Sequence, residues 1–231
     1  MARAGAALTT RSGTGLTSER VRARMVERVQ RLGVSDSRVL AAMLRIERHR
    51  FVDPALASRA YEDSALPIGF GQSISQPYTV ARCAELALGG AEDPKRSTVL
   101  EVGTGCGYAA AVLSELFGIV YSIERVRPLQ EMARENLRPL RIANLRLTFG
   151  DGMLGLASEA PFGVIVSTAA ADDIPPAWIE QLAPGGVIVA PLGRNAQVLA
   201  VVSKDANGRI DRRKHEPVRF VPLLHGTVRT N

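Results

Sequence analysis

Val99-Leu-Glu-Val-Gly-Thr-Gly-Cys-Gly-Tyr108 is the stretch that decides how this chain folds. A short apolar and β-branched run, 98–102, enters a turn with glycines at 103, 105 and 107, and a helical pattern follows over 108–117. Glycines let a backbone come close to a ligand, and a helix N-terminus offers free N–H groups. The spacing is GxGxG, so it is not the dinucleotide pattern GxGxxG. It is not a P-loop either, because no Lys-Ser/Thr follows. Glu101 stands in the strand just before the turn. A carboxylate there would oppose a pyrophosphate and would suit a cationic ligand. The plainer alternative is an ordinary strand–helix turn.

Outward from this turn the pattern repeats. Strands are expected at 119–123, 145–149, 164–167 and 187–191, and helices at 128–140 and 176–183. Strands alternating with helices of this length argue a doubly wound, mostly parallel sheet. Such strands read as nearly unbroken apolar runs because both faces are covered. After residue 196 the pattern changes. Residues 197–203, 210–213 and 218–223 are strand-like, and Asn207-Gly208 is a hairpin signal, so the sheet is expected to finish antiparallel. Upstream, Val21, Met25, Val29 and Leu32 mark one helix, closed by Gly33. Val39, Leu40, Met43, Leu44 and Ile46 mark a second, started by Ser35 or Asp36. These form an N-terminal helical cap. Residues 61–78 carry Gly69, Gly71 and two prolines. No regular element of any length is expected before a helix that Pro77 opens. Long irregular segments inside a compact domain are often functional.

The 231 residues are 46% apolar and 23% charged, which excludes disorder for the whole chain. No apolar run approaches the ~20 residues that span a bilayer. The net charge of +6 invites a nucleic-acid reading, but its placement argues otherwise. Residues 1–30 and 201–231 each carry +4, and 31–200 carry −2. Aromatics are 5%, which leaves little for base stacking. No nucleic-acid partner and no membrane are expected. Residues 1–16 are expected to be a disordered tail, and 17–231 one domain. The run Ala4–Leu8 is too short for a secretory signal. Cys83 and Cys106 form no CxxC pair and fit two reduced, buried thiols in a cytoplasmic protein. No histidine pair has metal-ligand spacing, so no metal is expected. No apolar face stands out, and a monomer is expected.

Two further acids join Glu101. Glu124 ends the second strand, where an acid can accept hydrogen bonds from ribose hydroxyls. A solvated pair with Arg125 or Arg127 is the alternative. Asp151, in Gly150-Asp-Gly152, follows the third strand, where it could accept from an adenine amino group. An ordinary Asp-Gly turn is the alternative there. Three acids at the carboxyl ends of three successive strands lie where open α/β sheets bind ligands. Together they favour an adenosine-bearing ligand without phosphates, and S-adenosylmethionine fits.

The combination resembles the protein-L-isoaspartate O-methyltransferase family, from about Val39 to Gly226. Its most specific stretch is Leu66-Pro-Ile-Gly-Phe-Gly-Gln-Ser-Ile-Ser-Gln-Pro-Tyr78, which general methyltransferases lack. Tyr121-Ser-Ile-Glu-Arg125, Ala160-Pro-Phe162, Thr168-Ala-Ala170, Ile174-Pro175, Gln181-Leu182 and Val218-Arg-Phe-Val-Pro-Leu223 also match, in order. The resemblance implies the class I S-adenosylmethionine-dependent methyltransferase fold. It also implies methylation of the free carboxylate of isoaspartyl residues in aged proteins. The ester then loses methanol to a neighbouring backbone nitrogen, and the succinimide formed reopens partly to normal aspartate. Carried onto this sequence, Ser75 takes the place of the active-site serine, with Gln76 beside it on the substrate side. Glu101, Gly103, Gly105, Glu124, Asp151 and Gly152 belong to the cofactor site, and Thr168 lies toward the substrate. Cys106 stands where the family usually has Ser, and Gly163 where it usually has Asp. Three competing readings remain: a methyltransferase for another acceptor, a cofactor-binding scaffold without turnover, and an RNA-modifying enzyme.

Overall fold

A computed structural model describes residues 15–229. The expected tail therefore lies almost wholly outside the described residues; only Gly15 and Leu16 of it are seen, in a 3-10 turn, Gly15–Thr17.

Helices α1 (Glu19–Arg31) and α2 (Ser37–Arg45) form the N-terminal cap. Asp36 starts α2 by accepting a hydrogen bond from the Arg38 N–H at 2.9 Å. Residues 61–78 differ from expectation. They hold a short antiparallel hairpin, β1 (Leu66–Gly69) with β2 (Gln72–Ile74). Its tip, Gly69-Phe70-Gly71, has φ values of 88°, 53° and 69°. The glycines that read as strand breakers are what lets the chain reverse so tightly.

Helix α3 (Pro77–Gly90) follows. Then β3 (Thr98–Val102), α4 (Tyr108–Leu116), β4 (Ile119–Glu124), α5 (Arg127–Leu137), β5 (Leu145–Phe149) and β6 (Phe162–Ser167) alternate as the sequence predicts. Helix α6 (Pro176–Gln181) leads into β7 (Leu182–Leu192), β8 (Gln197–Lys204) and β9 (Ile210–Val218). The seven strands run in the order β5-β4-β3-β6-β7-β8-β9. Pairs up to β6–β7 are parallel, and β7–β8 and β8–β9 are antiparallel.

Side-chain alternation along these strands builds two cores. Val99, Val120, Val164 and Val187 face a large cluster shared with α1 to α5. Leu100, Ile123, Ile165 and Ile188 face a smaller one closed by Trp178 of α6. Both faces are covered, as a doubly wound sheet requires, but most helices lie on one. The exposed outer strand β9 carries Arg212, Arg213 and Lys214. Charges there discourage pairing with another chain's edge, which gives the basic C-terminal stretch a structural purpose.

The expected strand at 218–223 is corrected. β9 ends at Val218, and residues 219–228 cross the carboxyl ends of the parallel strands as an irregular strap. Gln197 pins it with its side-chain amide, accepting from the Phe220 N–H at 2.6 Å and donating to the Phe220 carbonyl at 3.1 Å. Pro222 has no N–H to give a ladder.

Candidate active site

The carboxyl ends of β3, β4 and β6, the β1–β2 hairpin and the strap enclose one open cleft. The glycine-rich turn forms its floor. Gly103, Gly105 and Gly107 have φ of 96°, 54° and 91°. A Cβ at Gly103 would also collide with the Thr168 hydroxyl.

Glu124 lines the cleft and is 5% exposed. Its carboxylate accepts from the Gly105 N–H at 2.8 Å and from the Val126 N–H at 2.9 Å. It thus holds the glycine turn while its remaining lone pairs face the cleft. The alternative of a solvated pair with Arg125 or Arg127 does not hold: the Arg125 guanidinium donates to the His225 and Gly226 carbonyls at 3.2 and 2.8 Å, and that of Arg127 stacks over the Phe149 ring at 3.9 Å.

Glu101 is fully buried beneath the turn. Ser122 Oγ donates to its Oε2 and shares a 2.6 Å hydrogen bond with Thr104 Oγ1, which lines the cleft. Glu101 Oε1 has no partner among the described residues. Burial pushes this carboxyl up to about 8, with the nearby Glu124 adding to the rise and the Ser122 hydrogen bond opposing it. In the unfolded chain it loses its proton near 4.5. Between these values the native state keeps a proton the unfolded state has released, so this group's contribution to stability falls as pH rises from about 4.5 to 8. We expect Glu101→Gln to flatten that decline in the ligand-free protein. Urea midpoints at pH 5 and pH 8 measure it, and equal changes in both proteins would contradict a protonated Glu101.

Asp151 sits at the expected strand end but does not line the cleft; Gly152 does. The Asp151 carboxylate accepts from the Met153 N–H at 2.9 Å and from the Gly226 N–H of the strap at 2.6 Å. Gly152 is fixed from behind by Trp178, whose indole N–H donates to its carbonyl at 2.8 Å. A Cβ there would run into Val102.

On the other side, Ser75 follows β2 and lines the cleft. Its hydroxyl makes no hydrogen bond among the described residues, so it is not a turn cap. Gln76 is the N-cap position of α3, makes no side-chain cap, and lies outside the cleft lining. Thr168 lines the cleft, but its hydroxyl faces the Val102 and Gly103 carbonyls at 3.1 and 2.5 Å, buttressing the glycine turn. Cys106 is buried, and burial pushes its thiol up to about 11, so it is no nucleophile at neutral pH. Gly163 lies near the start of β6, beside Ser97, at the opposite end from the cleft. The unusual glycine therefore leaves the site untouched.

The model of the protein-L-isoaspartate(D-aspartate) O-methyltransferase family matches residues 20–228. The chain belongs to this family. A protein-L-isoaspartate O-methyltransferase from Methylibium petroleiphilum is 54% identical over 222 residues, covering 95% of this chain and 82% of the relative. One from Burkholderia lata is 55% identical over 216 residues, covering 92% and 69%. A solved protein-L-isoaspartate O-methyltransferase superposes with a TM-score of 0.76 at 30% identity, covering 87% of this chain and 65% of the other. A Plasmodium falciparum β-aspartate methyltransferase in complex with S-adenosyl-L-homocysteine gives 0.77 at 24% identity, covering 88% and 98%. Within the family frame, the sheet order and the antiparallel finish are those of a class I methyltransferase.

The residues present fit S-adenosylmethionine. Among the described residues lining the cleft, only Glu124 and Arg125 are charged, and the Arg125 head is spent on the strap. A phosphate would find no free cation there. A sulfonium or ammonium group would meet Glu124 instead, while Glu101, expected from the sequence to face the cofactor, lies buried beneath the turn and outside the cleft lining.

Proposed function

We propose that this cleft methylates the free carboxylate of isoaspartyl residues in aged proteins, with S-adenosylmethionine as donor. What carries the reading is the 66–78 segment: folded as a hairpin, it delivers an uncommitted Ser75 hydroxyl to the same cleft that the glycine turn and Glu124 line.

S-adenosylmethionine supplies a methyl group carried on a cationic sulfur. Glu124 would hold the ribose, and the Gly103–Gly105 turn would line the cofactor site. Gly152 would form the wall on the adenine side, and Asp151, just outside the lining, would offer its spare lone pairs to the adenine amino group. The acceptor carboxylate is ionised at pH 7, so no strong base is required. Ser75 donates a hydrogen bond to it and orients one oxygen toward the methyl carbon. Alignment of this kind contributes on the order of 7–11 kcal/mol to lowering a barrier. The hairpin and the Val221–Leu224 part of the strap exclude water. Main-chain contacts along an extended substrate would tolerate varied side chains, as a repair enzyme needs. Gln76, outside the cleft lining, would meet the polypeptide flanking the reacting residue, and Thr168 would meet it through its methyl group.

Free, buried Cys83 and Cys106 support a reducing, cytoplasmic setting. No helix among the described residues is long and apolar enough to cross a membrane. The acidic middle of the sequence argues against a nucleic-acid acceptor.

The test is transfer of a labelled methyl group to matched peptides containing isoaspartate or aspartate. We expect base-labile ester on the isoaspartyl peptide alone. Equal labelling of both, or label in RNA, would overturn the proposal.

A further inference from the structure

Ser75 has no hydrogen bond of its own to fix it; its neighbour Ile74 and the hairpin residues Leu66 and Ile68 are packed into the main core, and beyond them the hydroxyl depends on how the ends of the segment are held. Both ends lie against one base. Arg48, in the 3-10 turn Arg48–Phe51, is wholly buried. Its Nε donates to the Ala60 carbonyl at 2.7 Å, and Nη2 reaches the Ser64 carbonyl at 3.4 Å. A buried guanidinium with no carboxylate at salt-bridge distance among the described residues is costly, and the nearby charge of Asp63 offsets part of that cost. The Tyr108 ring, 5.0 Å from the guanidinium carbon, offsets a further part. Tyr108 is the first residue of α4, directly after the glycine turn. Arg48 therefore ties the start of the substrate-side segment to the cofactor-side turn.

The far end returns to the same place. Asp63 Oδ1 accepts from the Tyr78 N–H at 2.9 Å. Tyr78 is the second residue of α3. Pro77 has no N–H, and the N-cap residue Gln76 makes no side-chain cap. The first free N–H of α3 is thus capped from 15 residues upstream. Residues 64–77, with the hairpin and Ser75, form an excursion whose α3 end is fastened by this hydrogen bond, while its hairpin packs into the core.

We propose that Asp63 is a positioning residue for Ser75, acting through the Tyr78 N–H to set where the hydroxyl stands over the cofactor turn. The proposal rests on the orienting role of Ser75 given above. Asp63 touches no reacting atom. Its loss lets the excursion shift at its α3 end while the glycine turn, held by Glu124 and Thr168, keeps its form.

The experiment compares wild type, Asp63→Ala, Asp63→Asn, Asp63→Glu, Ser75→Ala and the double variant Asp63→Ala/Ser75→Ala. It reads kcat and KM on an isoaspartyl peptide and Kd for S-adenosylhomocysteine. Asp63→Ala is expected to lower kcat about tenfold and to leave Kd within twofold. Asp63→Asn keeps an acceptor oxygen in place and should retain kcat within about threefold. Asp63→Glu keeps the charge but moves the oxygen by one methylene, and should lose kcat like alanine. In the double variant, Asp63→Ala should add nothing to the loss from Ser75→Ala. Wild-type kcat in both Asp63→Ala and Asp63→Glu overturns the proposal. So does Asp63→Asn failing as badly as alanine, a parallel loss of Kd, or additive losses in the double variant. If Asp63→Ala does not fold, the asparagine and glutamate pair decides alone. Ser75→Ala at full kcat would sink the Ser75 reading instead, whatever Asp63 does.

Discussion

Glu124→Ala is expected to weaken S-adenosylhomocysteine binding by about a hundredfold or more. Glu124 does two things at once: it takes the Gly105 and Val126 N–H groups, and it presents its remaining lone pairs to the cleft. Hydrogen bonds to a charged group contribute about 1.5–3 kcal/mol each. A tenfold change in affinity corresponds to about 1.4 kcal/mol. Losing the ribose contacts and loosening the turn therefore compounds to two decades or more. Glu124→Gln should fall between, because its amide presents one acceptor and turns a donor toward a second N–H. Titration calorimetry with S-adenosylhomocysteine at pH 7 is the direct measurement. An alanine variant binding within threefold of wild type would show that Glu124 only caps backbone.

Ser75→Ala should show the complementary pattern. We expect kcat on an isoaspartyl peptide to fall about a hundredfold, with cofactor affinity unchanged. Removing one donor aimed at a reacting oxygen costs on the order of 10²–10³ in kcat where that donor stabilises developing charge. Here the acceptor is an anion that loses charge as it reacts, so orientation matters more than charge stabilisation and the lower end applies. Because the hydroxyl has no protein partner, its removal leaves no buried group unsatisfied, and stability should hardly change. Steady-state kinetics with a thermal melt checks both halves. Wild-type turnover would refute the role.

The central fold was legible because its signals are local. The β-branched run 98–102, the positive-φ glycines and the alternation through β6 each lie within a few residues. The hairpin was not, because the glycines at 69 and 71 read equally as a broken strand or a tight reversal, and only the Leu66–Ile74 pairing decides. The strap was misread because 218–223 has strand-like apolar spacing, yet its partners are a glutamine side chain and scattered backbone groups far away in sequence. Of the three acids, Glu124 stands where expected. Glu101 proved to be a buried carboxyl under the turn, and Asp151 a clasp for the strap. Asp63 and Arg48 left no local signal at all. A cap supplied from 15 residues away has no sequence spacing to reveal it.

The strap also bears on how the enzyme is built in time. Its bonds join residues far apart in the chain: Arg125 to Gly226 across 101 positions, and Asp151 to Gly226 across 75. Closing loops of that length costs entropy before any contact rewards it, and non-local pairings slow folding. The parallel strands β3 to β6 and their helices can assemble through shorter connections. The strap docks on strand ends that must already be in place, so we expect the cleft wall formed by Val221, Pro222, Leu223 and Leu224 to close after the sheet. During refolding, far-ultraviolet circular dichroism should therefore recover ahead of S-adenosylhomocysteine binding. Recovery of cofactor binding together with the circular dichroism signal would contradict this order.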